Sequence, residues 1–249
     1  SGDIYTKVED GDGFDLSTLT FTSTVTIALP APSADINYFD EAVTVTLPSE
    51  LDSSVDKAEL ILAFTLNGVK YTKEGAFAGG DSYPIDLSDL GTALGATLPY
   101  DKNYSHVDEI GVFLAADNVE GAVFTLKVAA RPALDRPTGA DCSAGYDSIQ
   151  LLGGLTDTFD FGLAKKESST ASAPSEPEYI DEDGDGLITG LEEGTTYWVY
   201  LRRKATSTSF RSEWGYNYWN TTSTNKATHL TVSTKTPTYT WRPGFNLPS

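Results

Sequence analysis

Residues 181–200 read DEDGDGLITGLEEGTTYWVY, and this stretch decides the fold class. Its first six residues are acidic or glycine, a composition typical of a tight turn. The last four residues begin an alternating run in which Tyr197, Val199 and Leu201 share one face. A period of two is the pattern of a half-buried strand, not of a helix. A turn that leads directly into a strand predicts an all-β chain.

The second part of this stretch carries Leu191, an acid at Glu192, Gly194 and Tyr197 in fixed spacing. This pattern resembles the corner between two late strands of fibronectin type III domains, in which the tyrosine hydroxyl is hydrogen-bonded to the preceding loop. The resemblance implies a fibronectin type III-like, immunoglobulin-like sandwich and an extracellular type of module.

Alternation recurs along the whole chain. Residues 18–29, TLTFTSTVTIAL, have the period expected of a strand, and Asn67-Gly68 between two apolar runs predicts a hairpin. In the second half, Phe159 or Phe161 takes the place of the core tryptophan that such sandwiches carry on an early strand. Further strands are predicted at 42–47, 57–66, 69–72, 110–115, 122–129, 147–152, 158–163, 187–189, 197–203 and 228–234.

Residues 83–128 contain YPIDLSDLG, VDEIGVFLAAD and EGAVFTLKV in succession. This succession resembles the closing strands of jelly-roll sandwiches among carbohydrate-binding modules. The resemblance implies a jelly-roll-like fold for the first half of the chain.

The chain is long enough for two sandwich domains, each with its own core. Residues 130–137, ARPALDRP, carry two prolines, which favour an extended and stiff connection. We therefore predict two tandem antiparallel β-sandwiches. The predicted boundaries are 1–130 for the jelly-roll-like domain, 131–137 for the linker, 138–236 for the fibronectin type III-like domain and 237–249 for an extended aromatic and proline-rich tail.

Charge excludes several classes of partner. The formal net charge is -19, and residues 1–134 carry 7 basic and 21 acidic residues against 10 and 15 in residues 135–249. Such a chain repels phosphate backbones and anionic lipids, so we expect no nucleic-acid binding. We expect no membrane insertion, because no apolar run approaches the roughly 18 residues of a spanning helix. The sequence begins at Ser1 and contains no Met, which leaves open both removal of an initiator Met and cleavage of a precursor.

The acidic turn has the spacing of a calcium loop. Asp181, Asp183, Asp185, the Leu187 carbonyl and Glu192 occupy positions 1, 3, 5, 7 and 12 of the EF-hand pattern. A strand follows the loop where an EF-hand has a helix, so we expect a reduced loop that binds one Ca²⁺. The alternative is an exposed turn that uses Asp and Gly for their backbone geometry.

An aromatic cluster is the candidate ligand or interface surface. Trp214, Tyr216, Tyr218 and Trp219 lie within six positions, and Trp241 follows in the tail. Such side chains stack on sugar rings or anchor protein interfaces, and the alternative is that they fill a core.

Basic residues flank this cluster at Arg202, Arg203, Lys204 and Arg211. This concentration of positive charge predicts a rim that steers an acidic partner, such as the acidic first domain of a neighbouring copy. The alternative is a solvated strand end.

No catalytic set is visible. His106 and His229 are the only histidines, Cys142 is the only cysteine, and Gly80-Asp81-Ser82 lacks the further residues of a hydrolase. We therefore predict that the protein is not an enzyme.

The pattern indicates a non-catalytic structural or adhesive surface protein. We expect a virion component, such as a decoration, fibre or tail protein of a phage, or a subunit of an extracellular filament or coat. Its expected partners are other copies of itself, other virion or surface proteins, and glycans. The alternative is a carbohydrate-binding accessory module of a secreted polysaccharide-degrading system.

Overall fold

A computed structural model describes residues 29–51, 60–75, 77–101, 103–116, 119–134, 141–215, 217–219, 227–229 and 231–238. In these residues the regular secondary structure is β-strand, apart from one helix of eight residues. Its strands form antiparallel sheets, so the predicted all-β class is confirmed. The predicted strand at 18–29 lies outside the described residues except for Leu29.

The first sandwich is built from two antiparallel sheets. Within the described residues, one sheet has the order β1-β2-β5, and the other has the order β4-β3-β6-β7, with β8 also paired to β6. The elements are β1 (Ser33–Asn37), β2 (Ala42–Thr46), β3 (Ile61–Leu66), β4 (Val69–Glu74), β5 (Ser82–Asp86), α1 (Leu87–Leu94), β6 (Val107–Ala116), β7 (Val119–Glu120) and β8 (Phe124–Ala129).

Alternation places the apolar side chains between the two sheets. In β2, Val43 and Val45 are fully buried while the intervening Thr44 is half-buried. Ile110 and Val112 of β6 face the same core. Burial of each such side chain contributes about 1.5–3 kcal/mol relative to exposure.

The predicted hairpin at Asn67-Gly68 is confirmed. It joins β3 and β4, and both turn residues have positive φ, 50° at Asn67 and 82° at Gly68. Two positive φ angles give the turn the twist that matches the flanking strands.

Residues 87–94 form a helix where the jelly-roll resemblance implied a strand. The Asp86 carboxylate accepts hydrogen bonds from the amides of Ser88 at 2.7 Å and Asp89 at 3.3 Å, and Gly95 ends the helix in the left-handed region. Hydrogen bonds from the Ser88 hydroxyl and amide hold the pKa of the Asp86 carboxyl below its ordinary value. The capped start and the glycine at the end therefore explain why this segment is a helix.

The second sandwich also has two antiparallel sheets, ordered β13-β10-β9 and β12-β11-β14-β17 in the described residues. Phe161 is fully buried and Phe159 nearly so, both in its core, as predicted. The elements are β9 (Cys142–Ala144), β10 (Ser148–Leu151), β11 (Phe159–Lys165), β12 (Tyr179–Ile180), β13 (Leu187–Thr189), β14 (Thr196–Arg203), β15 (Asn217–Trp219), β16 (Ala227–His229) and β17 (Thr231–Ser233).

The two sandwiches share one strand order. In chain order, the first, second and fifth strands form one sheet of each sandwich, and the third, fourth, sixth and last strands form the other. In the second sandwich this correspondence leaves out β15 and β16, and in the first it leaves out β7. The described strand order of the first half does not match the two Greek keys of a jelly roll. It is the same immunoglobulin-like order that the second half shows.

The predicted strand at 228–234 is divided into two. β17 pairs with β14 at Thr196, whereas β16 pairs with β15 in a separate two-stranded ladder. Gly215 bridges Leu201 further along β14. The ladder is therefore inserted in the position of the last strand, between two segments that both border β14.

Candidate functional site at the domain joint

The tyrosine corner forms as the resemblance implied. Tyr197 is fully buried, and its hydroxyl oxygen accepts a hydrogen bond from the Glu192 amide at 2.9 Å. This hydrogen bond fixes the loop to the start of the strand that follows it. The corner and the strand order together support the fibronectin type III-like fold of the second half.

The acidic loop is closed by its own side chains. Asp181 accepts hydrogen bonds from the Gly184 amide at 2.9 Å and from the Gly186 amide at 2.7 Å. Asp185 accepts one from the Leu187 amide at 2.8 Å. Both glycines have positive φ, at 72° and 81°, which only glycine adopts without strain.

The candidate calcium ligands are not gathered at one point. Leu187 belongs to β13, and the Glu192 carboxylate pairs with Lys165 at 2.8 Å. Across the described residues, which include 181–192, no three carboxylates, histidines or cysteines lie in a group that could hold a metal ion. Calcium at Asp181, Asp183, Asp185, Leu187 and Glu192 stays a prediction.

Replacing Asp181 by Ala tests how the loop is stabilised. The variant leaves two glycine amides without their acceptor, so we expect the free energy of unfolding to fall by about 1–3 kcal/mol, in chelator as well as in calcium. Thermal or denaturant unfolding measures this loss.

The calcium prediction requires a further result from the same experiment. The free energy of unfolding of the parent protein should rise in millimolar Ca²⁺ at matched ionic strength, by about 2.7 kcal/mol at a hundredfold excess over Kd. The double variant Asp183→Asn, Asp185→Asn should lose that rise and keep its stability in chelator. Identical melting of the parent in calcium and in chelator would show that the loop is only a turn.

The predicted aromatic cluster is divided by the structure. Trp214 packs against Ala164, Trp198 and Tyr200 on the outer face of the second sandwich, and the Arg202 guanidinium lies 4.3 Å from its ring centroid. Trp214 is therefore part of a packed layer. Tyr218 and Trp219 lie in β15, whereas Tyr216 and Trp241 lie outside the described residues.

The joint between the sandwiches contains an aromatic residue that the sequence patterns did not single out. Phe210 follows β14 in the second half, yet it is only 1% exposed and belongs to the core of the first sandwich. Its ring centroid lies 4.8 Å from that of Tyr38. We call residues 206–213 the arm, because this segment extends from the second sandwich to the first.

The arm begins with a closed turn and is hydrogen-bonded to its own sandwich near its end. The Thr206 amide donates to the Ser209 carbonyl at 2.9 Å and closes a turn. The Ser212 amide donates to the Arg203 carbonyl at 3.1 Å, and the Arg203 amide donates to the Ser212 hydroxyl at 2.9 Å. Phe210 is thus presented from a fixed backbone.

A charged cluster lies beside Phe210 at the joint. Arg131 donates two parallel hydrogen bonds to the Glu41 carboxylate, from Nη1 and Nη2, each at 2.7 Å. Arg211 Nε donates to the same carboxylate at 2.9 Å, and Arg131 Nε contacts Glu213 at 2.9 Å. Residues of the first sandwich, the predicted linker and the arm therefore meet in one network.

The central pair of the network, Arg131 and Glu41, is largely shielded from water. The side chains of Arg131 and Glu41 are 15% and 20% exposed. Burial alone would raise the pKa of the Glu41 carboxyl, but hydrogen bonds and positive charge from Arg131 and Arg211 outweigh burial and hold that pKa below its ordinary value. Glu41 is therefore ionised at neutral pH.

The structure assigns Arg202 and Arg211 of the predicted basic rim to partners within the chain. Arg202 pairs with Asp160 at 2.9 Å, and Arg211 pairs with Glu41 of the first sandwich. A cavity of about 500 Å³ beside the joint is lined by these arginines, Arg131 and Trp214. All three arginines are already paired, so the cavity has little positive charge to offer an anionic ligand.

The described residues contain no arrangement typical of nucleophilic catalysis. His106 lies 3.0 Å from the buried Asp108 and its ring is tilted against that of Tyr100, while the hydroxyl of the neighbouring Ser105 donates to Asn103 Oδ1 at 2.9 Å. Burial raises the pKa of the Cys142 thiol to about 12, so the reactive thiolate is scarce at neutral pH. No described helix is long and apolar enough to span a membrane.

No family model and no curated protein matches the chain. Among solved structures, the chicken CNTN1 FN1-FN3 domains match with 13% identity and a TM-score of 0.31, over 84% of this chain and 66% of that one. A two fibronectin type-III domain segment from chicken tenascin matches with 13% identity and a TM-score of 0.27, over 75% of this chain and 95% of that one. The fold assignment rests on the strand order and the tyrosine corner.

Proposed function

We propose that this protein is a non-catalytic structural or adhesive surface protein. Within that class we propose a virion component, such as a decoration, fibre or tail protein of a phage, or a subunit of an extracellular filament or coat. Its partners would be copies of itself, other virion or surface proteins, and glycans.

The observation that carries the proposal is the joint. The buried ring of Phe210 and the ion pairs Arg211–Glu41 and Arg131–Glu213 join the second sandwich to the first. Phe210, which is only 1% exposed, adds an apolar anchor to these ion pairs, and buried apolar contact opposes relative motion of domains. A fixed orientation is what a subunit of a coat or fibre needs in order to place its contact surfaces.

A carbohydrate-binding accessory module is the second candidate. The observation in its favour is the β15-β16 ladder, which carries Tyr218 and Trp219 outside the sheets of both sandwiches. Aromatic rings stack on sugar faces, and each such contact contributes on the order of 1 kcal/mol.

Two measurements on the full chain separate these candidates. A panel of polysaccharides and esters should show no turnover, and turnover that one carboxylate substitution removes would overturn the non-catalytic assignment. Trp219→Ala should abolish retention on a glycan array if the protein is a sugar-binding module, and should dissociate oligomers if the ladder is an interface. Tyr104→Ala is the matched control, because Tyr104 is a 58% exposed aromatic residue on the other sandwich.

A further inference from the structure

The cavity beside the joint has walls from both sandwiches. Glu41 belongs to the first sandwich, and Arg131 to the predicted linker. The rest of the wall includes Glu213 of the arm, and Glu176 and Ile180 of the second sandwich. The volume of about 500 Å³ lies within the roughly 300–1,000 Å³ of pockets that hold small ligands. Size and position therefore make this cavity a candidate ligand site.

The loop that carries Glu176 is fixed on both sides of that residue. The Tyr200 hydroxyl donates a hydrogen bond to the Pro174 carbonyl at 2.7 Å. The Glu178 amide donates one to the Leu163 carbonyl at 2.8 Å. A fixed backbone loses little conformational entropy when a ligand binds, so this part of the wall is preorganised.

Positive and negative charges in the wall balance each other. The charged side chains that line the cavity are Glu41, Glu176, Glu213, Arg131, Arg202 and Arg211. Asp160, which pairs with Arg202 at 2.9 Å, adds a further carboxylate next to the cavity. An anionic or a cationic ligand would meet like charges as well as opposite ones, so this wall favours a ligand without net charge.

The wall still offers hydrogen-bonding groups of both kinds. Arg202 donates to Asp160 through Nε and Nη2. Arg211 donates to Glu41 through Nε. In the described part of the chain no acceptor contacts Nη1 of either arginine, and no donor contacts the exposed Glu176 carboxylate. One ligand can therefore use guanidinium N–H donors and a carboxylate acceptor together.

We propose that this cavity binds a neutral carbohydrate. A sugar hydroxyl both donates and accepts, so one hydroxyl can donate to Glu176 while its neighbour accepts from a guanidinium. The apolar C–H face of the sugar would lie against Ile180, which is 48% exposed, and the half-buried Trp214. The proposal rests on the proposed glycan partner and places the glycan at the joint, apart from the β15-β16 ladder.

Isothermal titration calorimetry of the full chain tests the proposal. The probes are short neutral oligosaccharides of glucose, mannose, galactose or xylose, with an oligogalacturonate of equal length as the anionic counterpart. At least one neutral oligosaccharide should bind, and more tightly than the oligogalacturonate. Glu176→Ala and Ile180→Ser should each bind it about tenfold more weakly, because each removes a contact of sufficient strength, a charge-assisted hydrogen bond or a buried apolar surface.

The two cavity variants have matched controls. Glu193→Ala removes an exposed glutamate that does not line the cavity. Val123→Ser removes a 58% exposed β-branched side chain of the first sandwich. Both controls should bind the oligosaccharide as the parent does. All four substitutions are at exposed positions, so thermal unfolding should stay close to that of the parent.

The outcomes separate this proposal from the wider one. The cavity is not a neutral sugar site if no neutral oligosaccharide binds, if the oligogalacturonate binds more tightly, or if either cavity variant binds as the parent does. If Trp219→Ala loses binding and both cavity variants keep it, the glycan partner stands, but the ladder rather than the cavity binds it. The non-catalytic assignment depends on the turnover panel and not on this titration.

Discussion

Phe210→Ala is expected to lower the free energy of unfolding by about 3–5 kcal/mol, as large-to-small substitutions of buried aromatic residues do. The residue is only 1% exposed and packs among residues of the first sandwich, although it belongs to the second half of the chain. The loss should therefore appear in the first sandwich. A domain is stable by roughly 5–15 kcal/mol in total, so this is a large fraction.

The distribution of tryptophan makes the effect measurable for each sandwich. All four tryptophans lie at or after position 198, so their fluorescence reports the second half, whereas circular dichroism reports strands of both halves. In the parent protein the two denaturant transitions should coincide. In Phe210→Ala the circular dichroism transition should begin at lower denaturant than the fluorescence transition.

Phe39→Ala is the matched control. Phe39 lies next to Tyr38 at the joint but is 57% exposed, so its removal should change stability by less than about 0.5 kcal/mol. Equal losses in Phe39→Ala and Phe210→Ala would contradict a specific role for the buried ring.

Local signals in the sequence were sufficient for much of the fold. The alternation of β2, β6 and β14 follows from the period of a strand, and the Asn67-Gly68 turn follows from positive φ at both positions. The corner at Tyr197 depends on residues five positions apart. Helix α1 also had a local signal, since Asp86 and Gly95 are typical of the start and end of a helix, whereas the jelly-roll resemblance implied a strand there.

The joint could not be predicted in the same way. Arg211 and Glu41 are separated by 170 positions, and the arm that carries Phe210 has no apolar period. The sequence placed Arg211 in a basic concentration and predicted an acidic partner, but the choice of Glu41 depends on how the two sandwiches dock. Docking is a property of whole surfaces, which a pattern of neighbouring residues does not describe.

Glu41→Gln is expected to destabilise the joint by about 2 kcal/mol, less than the 3–5 kcal/mol of a fully buried broken ion pair because the cluster retains some exposure. The variant keeps the shape of the side chain and one acceptor oxygen, but it removes the negative charge that Arg131 and Arg211 share. Two guanidinium groups would then lie close together without the carboxylate that they share, and Glu213 pairs with Arg131.

The pH dependence gives this prediction a second and more specific test. The pKa of the Glu41 carboxyl lies below its ordinary value of 4.5 in the folded protein, so its stabilising contribution is present above about pH 4.5 and is lost as the pH falls below that value. As the pH falls from about 4.5 through this lowered pKa, the parent protein should therefore lose more stability than Glu41→Gln does. Denaturant unfolding at a series of pH values measures the difference.

Glu109→Gln is the control, because Glu109 is 61% exposed in its pair with Lys127 and an exposed pair contributes only about 0–1 kcal/mol. If Glu41→Gln and Glu109→Gln give the same loss at neutral pH and the same acid profile, the charged cluster does not hold the two sandwiches together.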